Sequence, residues 1–231
     1  MADNSLLYAA LYALKEKALT DFSNEQLEDV KRTINRFAVY SAASGLAANI
    51  VPSVGGLAAA AAQTGMVWVL YVKINKALKI DISDHVMKFI GSAMLSNLIL
   101  NAGTLILGYS AATVLSFIPL VGQFSAALLD GALGYILIYA AAVLYLKLLA
   151  RMMDIKREIK IDDSPKTKEI IEDVVKSTNL KSLIAEAKIE YKKAKANGEI
   201  EKARKSHKCP NCGHQFEPGQ EYCTECGTKL K

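Results

Sequence analysis

The longest uncharged segments of the chain share one pattern of apolar residues around a short proline–glycine segment. The first runs from Phe37 to Val72 and the second from Phe89 to Leu129. Proline breaks a helix and glycine accepts the backbone angles of a tight turn. Both uncharged segments are rich in small residues, which let two helices pack closely. The pattern therefore predicts a duplicated helical hairpin, with turns at Pro52, Gly55, Gly56, Pro119 and Gly122.

Amphipathic helices are predicted on both sides of these hairpins. Residues 4–18 carry apolar positions at helical spacing, and Ser23 with Gln26 forms a capping box that opens a second helix. Ser164 followed by Pro165 predicts another helix start, and a last helix is expected near Asn179. The fold class is thus all-α. We expect a helical domain at 1–160, a charged helical linker at 161–208 that frays from Lys192 onward, and a small zinc ribbon at 209–231.

The pattern does not decide whether the hairpins are surrounded by lipid or by protein. About twenty apolar residues span a hydrocarbon core, which favours membrane association. However, the first arm is short and rich in alanine, and Asn97, Asn101 and Asp130 lie far from the ends of the second hairpin. A charge in mid-membrane costs about 2.5–3.5 kcal/mol on insertion scales. The hairpins could be transmembrane, re-entrant from one leaflet, or buried in a soluble core.

Two polar residues occupy matching places in the repeat. Gln63 and Asp130 each lie eleven residues beyond the proline of their hairpin. We expect them to be buried polar residues that hydrogen-bond the opposite arm and fix its register. The alternative is an ion or proton site, or a pH-sensitive trigger for insertion.

Four cysteines near the C-terminus predict a metal centre. Cys209, Cys212, Cys223 and Cys226 form two Cys-x-x-Cys-Gly turns separated by a short loop. Two such turns supply four thiolates to one tetrahedral zinc ion and leave no open position for water. We therefore expect a structural rather than catalytic Zn²⁺. The module is too short to bury a core, so the metal supplies most of its folding free energy.

The distribution of charge indicates the class of partner. Charges balance through residue 146, and the whole excess of +5 lies beyond it. A basic region beside apolar hairpins suits an anionic membrane surface, and nucleic acid is disfavoured because no dense basic run with interleaved aromatics is present. Cysteines spaced for metal favour a reducing compartment. The expected location is the cytoplasmic face of a membrane, or the cytoplasm.

The central region also resembles a known family. The matching residues include the segment from Ala42 to Leu46, Val51-Pro52 with Gly55, Gln63 with Met66, and Ile118-Pro119 with Gly122. They resemble a helical family of unknown function, DUF family six-nine-seven, often fused to or encoded beside small GTPases. The resemblance covers about residues 25–150 and implies a membrane-associating unit that works with a GTPase. No phosphate-binding Gly-x-x-x-x-Gly-Lys-Ser/Thr loop is present, so that GTPase would be a separate protein.

Three functions remain open at this stage. The leading hypothesis is a non-enzymatic membrane-associated scaffold or adaptor, in which the hairpins embed or oligomerise and the zinc ribbon docks a cytosolic protein. The alternatives are a pore-forming or membrane-permeabilising protein and a soluble helical adaptor. An enzyme is not expected, because the sequence contains no Ser/His/Asp or Cys/His set and no carboxylate pair placed for catalysis.

Overall fold

The computed structural model describes residues 5–17, 22–44, 56–115, 126–154, 162–206, 222 and 227–230, with the backbone alone for 56–64, 107–115, 126–130 and 154. This part of the chain is all-α, as the sequence predicts, and contains no strand. Its eight helices are α1 (Leu6–Lys17), α2 (Asn24–Ser44), α3 (Gly56–Leu78), α4 (Asp84–Leu115), α5 (Ala126–Asp154), α6 (Pro165–Ser177), α7 (Leu180–Ala196) and α8 (Glu199–Ser206).

Local sequence signals set several of the helix starts. The capping box predicted for α2 is confirmed: Gln26 N donates to Ser23 Oγ at 3.1 Å, and Ser23 N donates to Gln26 Oε1 at 2.9 Å. Ser164 caps α6 with Pro165 in its first turn, and Asn179 caps α7. Each cap satisfies a backbone N–H that has no partner within its own helix.

Helix α5 is the centre of the molecule. It contacts α1, α2, α3, α4, α6 and α7. All its residues from 131 to 150 are buried apart from the half-buried Lys147. A helix that is apolar on every side must be enclosed by protein or by lipid. Six neighbouring helices enclose this one.

Two glycines allow α2 to approach α5 closely. A Cβ atom on Gly131 would lie 2.9 Å from the Ala42 carbonyl oxygen, and one on Gly134 would lie 2.5 Å from Ser41 Oγ. The interface therefore has no room for a side chain at either position. Small residues at this crossing are the packing device that the alanine- and glycine-rich sequence predicts.

A buried polar network joins α3, α4 and α5. Tyr145 OH donates to Asn75 Oδ1 at 2.7 Å, Asn75 Nδ2 donates to Met87 Sδ at 3.1 Å, and Tyr71 OH donates to Ala141 O at 2.9 Å. The Tyr71 and Tyr145 rings stack with centroids 3.9 Å apart. Burial raises the pKa of both phenols above the ordinary value, so both remain protonated donors.

These contacts fix the directions of the helices. Tyr71 and Asn75 of α3 meet Ala141 and Tyr145 of α5 in the same order, so α3 and α5 run parallel. Asn75 meets Met87, and Gly91 packs on Trp68, so α4 runs antiparallel to α3. Together with the contact of Ala42 on Gly131, this places the end of α2 and the starts of α3 and α5 at one end of the bundle.

The predicted hairpins are described only along their arms. Helix α2 contacts α3, and α4 contacts α5. Gly56 is the first residue of α3, whereas Pro52, Gly55, Pro119 and Gly122 lie outside the described residues. The duplication of the hairpin therefore stays a prediction from the sequence.

The C-terminal helices pack on the bundle, whereas the sequence suggested a charged helical linker at 161–208 that is exposed and frays from Lys192 onward. Helices α6 and α7 both contact α4 and α5, and α8 contacts α2. Ile200 and Ala203 are buried, and Arg204 Nε donates to Ala43 O at 3.4 Å. One narrow apolar face is enough to attach so short a helix. The mostly charged sequence of α8 therefore gave no sign of this packing.

Helix α7 also holds the N-terminus of α1. The carboxylate of Glu186 accepts hydrogen bonds from Leu6 N at 2.6 Å, Leu7 N at 3.2 Å and Tyr139 OH at 2.7 Å. A carboxylate at the positive end of a helix is stabilising. Glu186 thus ties α1, α5 and α7 together through one side chain.

Candidate metal centre and uncharged surface

The outer side of α4 is exposed but carries no charge beyond Lys88. Positions 88, 92, 96, 100 and 104 form an exposed row at a spacing of four residues. After Lys88, this row consists of Ser92, Ser96, Leu100 and Thr104, and Leu100 is 82% exposed. An exposed helix face in water normally carries charged side chains. This one is an exception from Ser92 to Thr104.

Helix α3, which packs beside α4, also has uncharged residues on its outer side. Gly65, Trp68, Val69 and Val72 are half-buried and lie at helical spacing on its outer side. We call these residues, together with the exposed row of α4 from Ser92 to Thr104, the uncharged face.

A tryptophan and several lysines border the uncharged face. Lys88 Nζ lies 4.7 Å from the centroid of the Trp68 ring, a cation–π distance. Lys73 and Lys76, near the end of α3, and Lys79, just after it, are all exposed. The uncharged face therefore ends at an aromatic ring and a group of cations.

Two asparagines of α4 donate hydrogen bonds to carbonyl groups of their own helix. Asn97 Nδ2 donates to Ala93 O at 3.0 Å, and Asn101 Nδ2 donates to Asn97 O at 2.7 Å. Side-chain bonds to the carbonyl one turn earlier remove the need for water. The two asparagines, predicted on one helical face, thus do not require an aqueous partner for these donors.

Among the described residues, two helices are long and apolar enough to cross a membrane by length and composition. They are the windows Asp84–Ile106 of α4, 39% buried within the molecule, and Gly131–Met153 of α5, 94% buried. The core helix of a soluble protein passes the same test. The two windows differ in surroundings: protein covers α5, while α4 keeps one open side.

The predicted buried polar pair is only partly located. Gln63 belongs to α3 and Asp130 to α5, but both side chains lie outside the described ones. His85, in the first turn of α4, is exposed, and its Nε2 lies 2.9 Å from Asp163 Oδ2.

The last part of the chain contains the predicted metal ligands. Cys209, Cys212, Cys223 and Cys226 lie outside the described residues, and no other cluster of metal-ligating side chains occurs among those that are described. The flanks of the second Cys-x-x-Cys turn are described. Tyr222 and Lys229 form an antiparallel bridge around it, and Gly227, directly after Cys226, has φ +69°. A glycine in the left-handed region lets the backbone close the turn.

Residues 208–230 match the zinc-ribbon domain family. Such domains typically hold a structural zinc ion. The chain meets this requirement with four thiols in two Cys-x-x-Cys turns, a closing bridge and a left-handed glycine. Zinc bound by these thiolates would cross-link the module. No curated protein and no solved structure matches the chain.

Helix α8 determines where the zinc ribbon begins. Glu199 and Ala203 line a groove with Arg36 and Val39 of α2, and Arg204 reaches Ala43. Helix α8 therefore runs in the direction of α2 and ends beside the end of that helix. Ser206, the last residue of α8, therefore lies at the end of the bundle where α3 and α5 start.

The contact of Lys88 with Trp68, at the border of the uncharged face, was not predicted from the sequence. Trp68 is the single tryptophan of the chain, and Lys88 is the last charge before the second uncharged segment. Both facts could have indicated a boundary. Their contact could not be found from the sequence, because it depends on the register between α3 and α4.

Proposed function

We propose that the protein is a non-enzymatic membrane-associated scaffold, which lies on an anionic membrane through the uncharged face and offers its zinc ribbon to a protein partner. The observation that carries the proposal is the exposed, uncharged side of α4, on which Leu100 is 82% exposed. A surface of this kind gains free energy when water is excluded from it.

The composition of the uncharged face suits shallow contact with a bilayer. Burying an exposed leucine fully is worth about 1.5–3 kcal/mol. Trp68 lies at the border, where tryptophan is enriched in membrane proteins. Each exposed lysine near an anionic surface adds about 1 kcal/mol. Lys73, Lys76, Lys79 and Lys88 are placed for that role.

This proposal does not require a spanning helix. Helix α5 is enclosed by six helices, so the bundle can remain folded while only its surface meets lipid. The segments 45–64 and 107–129 lie in the same two uncharged runs of the sequence as the residues of the uncharged face. They provide further apolar residues for embedding or oligomerising.

The protein partner is proposed for the zinc ribbon. A closed four-thiolate site has no position for substrate, so the ribbon is suited to binding rather than to catalysis. The resemblance of residues 25–150 to the GTPase-associated family makes a separate GTPase the partner to test first.

Two alternatives make different predictions about membranes. The enclosure of α5 favours a soluble helical adaptor, which would not bind vesicles at all. A pore-forming protein would have to release α5 from its six neighbours before insertion. It would therefore leak a dye trapped in the vesicles, whereas a scaffold would bind them without leakage.

Vesicle flotation tests the proposal directly. The zinc-loaded full chain is mixed with vesicles of phosphatidylcholine alone or with added phosphatidylserine, and the bound fraction is measured. Leu100→Glu should weaken binding at least about tenfold, equivalent to about 1.4 kcal/mol. Ile189→Glu is the matched control, since Ile189 is 54% exposed on α7 outside the uncharged face. Equal binding by both variants, or none by the unmodified protein, would reject the proposal.

A further inference from the structure

A polar groove lies between the last turns of α5 and α6 and shares no residue with the uncharged face. Its volume is about 310 Å³. It is lined by Lys147, Arg151, Asp173, Val174, Ser177 and Thr178. Lys147 and Arg151 are four residues apart, so both cations project from the same side of α5.

Lys147 is a half-buried cation with a neutral partner. Its Nζ donates to Thr178 Oγ1 at 3.2 Å, and the Thr178 hydroxyl donates in turn to Val174 O at 2.8 Å. An ammonium group has three N–H donors, and its bond to Thr178 among the described residues leaves two for a ligand. Burial lowers the pKa of Lys147 below its ordinary value, which reflects an ammonium incompletely compensated for lost water.

Arg151 is only loosely engaged. Its Nη2 lies 3.9 Å from Asp173 Oδ2, and both side chains are more than half exposed. Ion pairs with this geometry and exposure contribute little to stability. The planar guanidinium can therefore turn to a tetrahedral oxyanion, which it binds through two parallel N–H donors.

The groove lies at the last turns of α5 and α6, where both helix dipoles are negative, and the start of α7 offsets part of this negative potential. Helix α7 begins at Leu180, two residues after Thr178, and its first backbone N–H groups have no partner within the helix. Asn179 Oδ1 accepts the Ser182 N–H at 3.0 Å. The positive end of the helix dipole thus starts beside the hydroxyl that holds Lys147.

We propose that this groove binds a phosphoryl group, with Lys147 and Arg151 as its ligands. The same chemistry is offered by free phosphate and by the phosphorylated headgroup of a lipid. Asp173 repels the bound anion and competes for Arg151. Its removal should therefore strengthen binding, whereas removal of either cation should weaken it.

The first experiment measures inorganic phosphate binding to the zinc-loaded full chain by isothermal titration calorimetry. Lys147→Met should weaken binding about tenfold or more, because a charge-assisted hydrogen bond is lost. Asp173→Asn should strengthen it by about two- to fivefold, as expected for removal of one nearby like charge. Lys168→Met removes an exposed lysine of α6 outside the groove and should leave the affinity within about twofold.

A second arm identifies the source of the phosphoryl group. Vesicles that contain a phosphorylated phosphatidylinositol are floated with Leu100→Glu protein, in which the uncharged face is disabled. Vesicle binding that Lys147→Met abolishes supports a lipid headgroup, and phosphate binding without vesicle binding supports a soluble ligand. The proposal is overturned if neither probe binds, or if Asp173→Asn and Lys147→Met change affinity in the same direction. Either result leaves the membrane role of the uncharged face intact.

Discussion

Gly134 of α5 lies so close to Ser41 of α2 that a Cβ atom there would be 2.5 Å from Ser41 Oγ and 3.0 Å from Ser41 O. Within the described part of the chain, the Ser41 hydroxyl is buried without a hydrogen-bond partner. Close backbone approach and an unsatisfied hydroxyl therefore coincide where α2 crosses the central helix. The crossing depends on the absence of a side chain at position 134.

Gly134→Ala should destabilise the fold. An added methyl group in a packed interface costs about 1–3 kcal/mol. The measurement is the free energy of unfolding in urea, followed by circular dichroism. Ser41→Ala combined with Gly134→Ala should recover part of the loss, because it removes the nearer of the two oxygen atoms.

Gly65→Ala serves as the matched control for this change. Gly65 lies within α3, and a Cβ atom there would meet nothing within 4 Å. Alanine in place of glycine inside a helix gains about 0.5–1 kcal/mol. If both glycine variants changed stability by the same amount and sign, the tight crossing of α2 and α5 would not exist in solution.

Tyr145→Phe should weaken the core through the polar network. The substitution keeps the ring stacked on Tyr71 but leaves Oδ1, the side-chain amide oxygen of the buried Asn75, without its donor. An unsatisfied buried acceptor costs about 1–3 kcal/mol. Tyr12→Phe is the control, since Tyr12 is 59% exposed, and it should leave the urea midpoint unchanged. An unchanged midpoint for Tyr145→Phe would show that the hydrogen bond contributes nothing net.

Stability should fall at alkaline pH because buried tyrosines must stay protonated. Burial, followed by the charge of Glu201, raises the pKa of Tyr191 to about 12. An unfolded tyrosine titrates near pH 10. Between these values the unfolded chain loses a proton that the folded chain keeps, so stability present below about pH 10 declines toward pH 12. Urea midpoints across this window test the decline.

Tyr191→Phe should make that alkaline decline shallower. Tyr12→Phe should reproduce the decline of the unmodified protein, because no buried phenol is removed. Identical slopes for all three proteins would mean that Tyr191 titrates normally in the fold.

Zinc removal should unfold the ribbon and spare the helices. The ribbon is too short to bury a core, so its folding depends on the metal. The helical bundle has its own continuous core of buried residues. Chelation should release zinc and expose four reactive thiols, while hydrogen exchange of α5 stays slow. Cys223→Ser with Cys226→Ser should unfold the ribbon without chelator and leave two reactive thiols, with equally slow exchange in α5. Rapid exchange throughout α5 after chelation would contradict this separation.

Features encoded by neighbouring residues could be predicted from the sequence. The reciprocal bonds of Ser23 and Gln26, the cap at Ser164 and the four-cysteine spacing all depend on a few adjacent positions. The all-α class follows from the same kind of signal. Gly227 illustrates this well: the turn after Cys226 requires a left-handed residue, and glycine is there.

Features that depend on register between distant helices could not be predicted. Helix α5 is apolar on all sides, so its sequence cannot distinguish lipid from six protein neighbours. The packing of Ile200 on α2 was hidden by the charges around it, and the approach of Lys88 to Trp68 needs the offset between α3 and α4. The turns at Pro52 and Pro119 stay predictions from the sequence, and so do the buried roles of Gln63 and Asp130. All four side chains lie outside the described ones.

The enclosure of α5 has a consequence for synthesis of the chain. Helices α1 to α4 leave the ribosome before the element around which they assemble, and α6 and α7 follow after it. At roughly 5–20 residues per second, the segment from Leu115 to Asp154 takes a few seconds to emerge. During that interval the nascent helices present their apolar sides without a partner. A chaperone or a nearby bilayer that shields them would therefore raise the yield of folded protein.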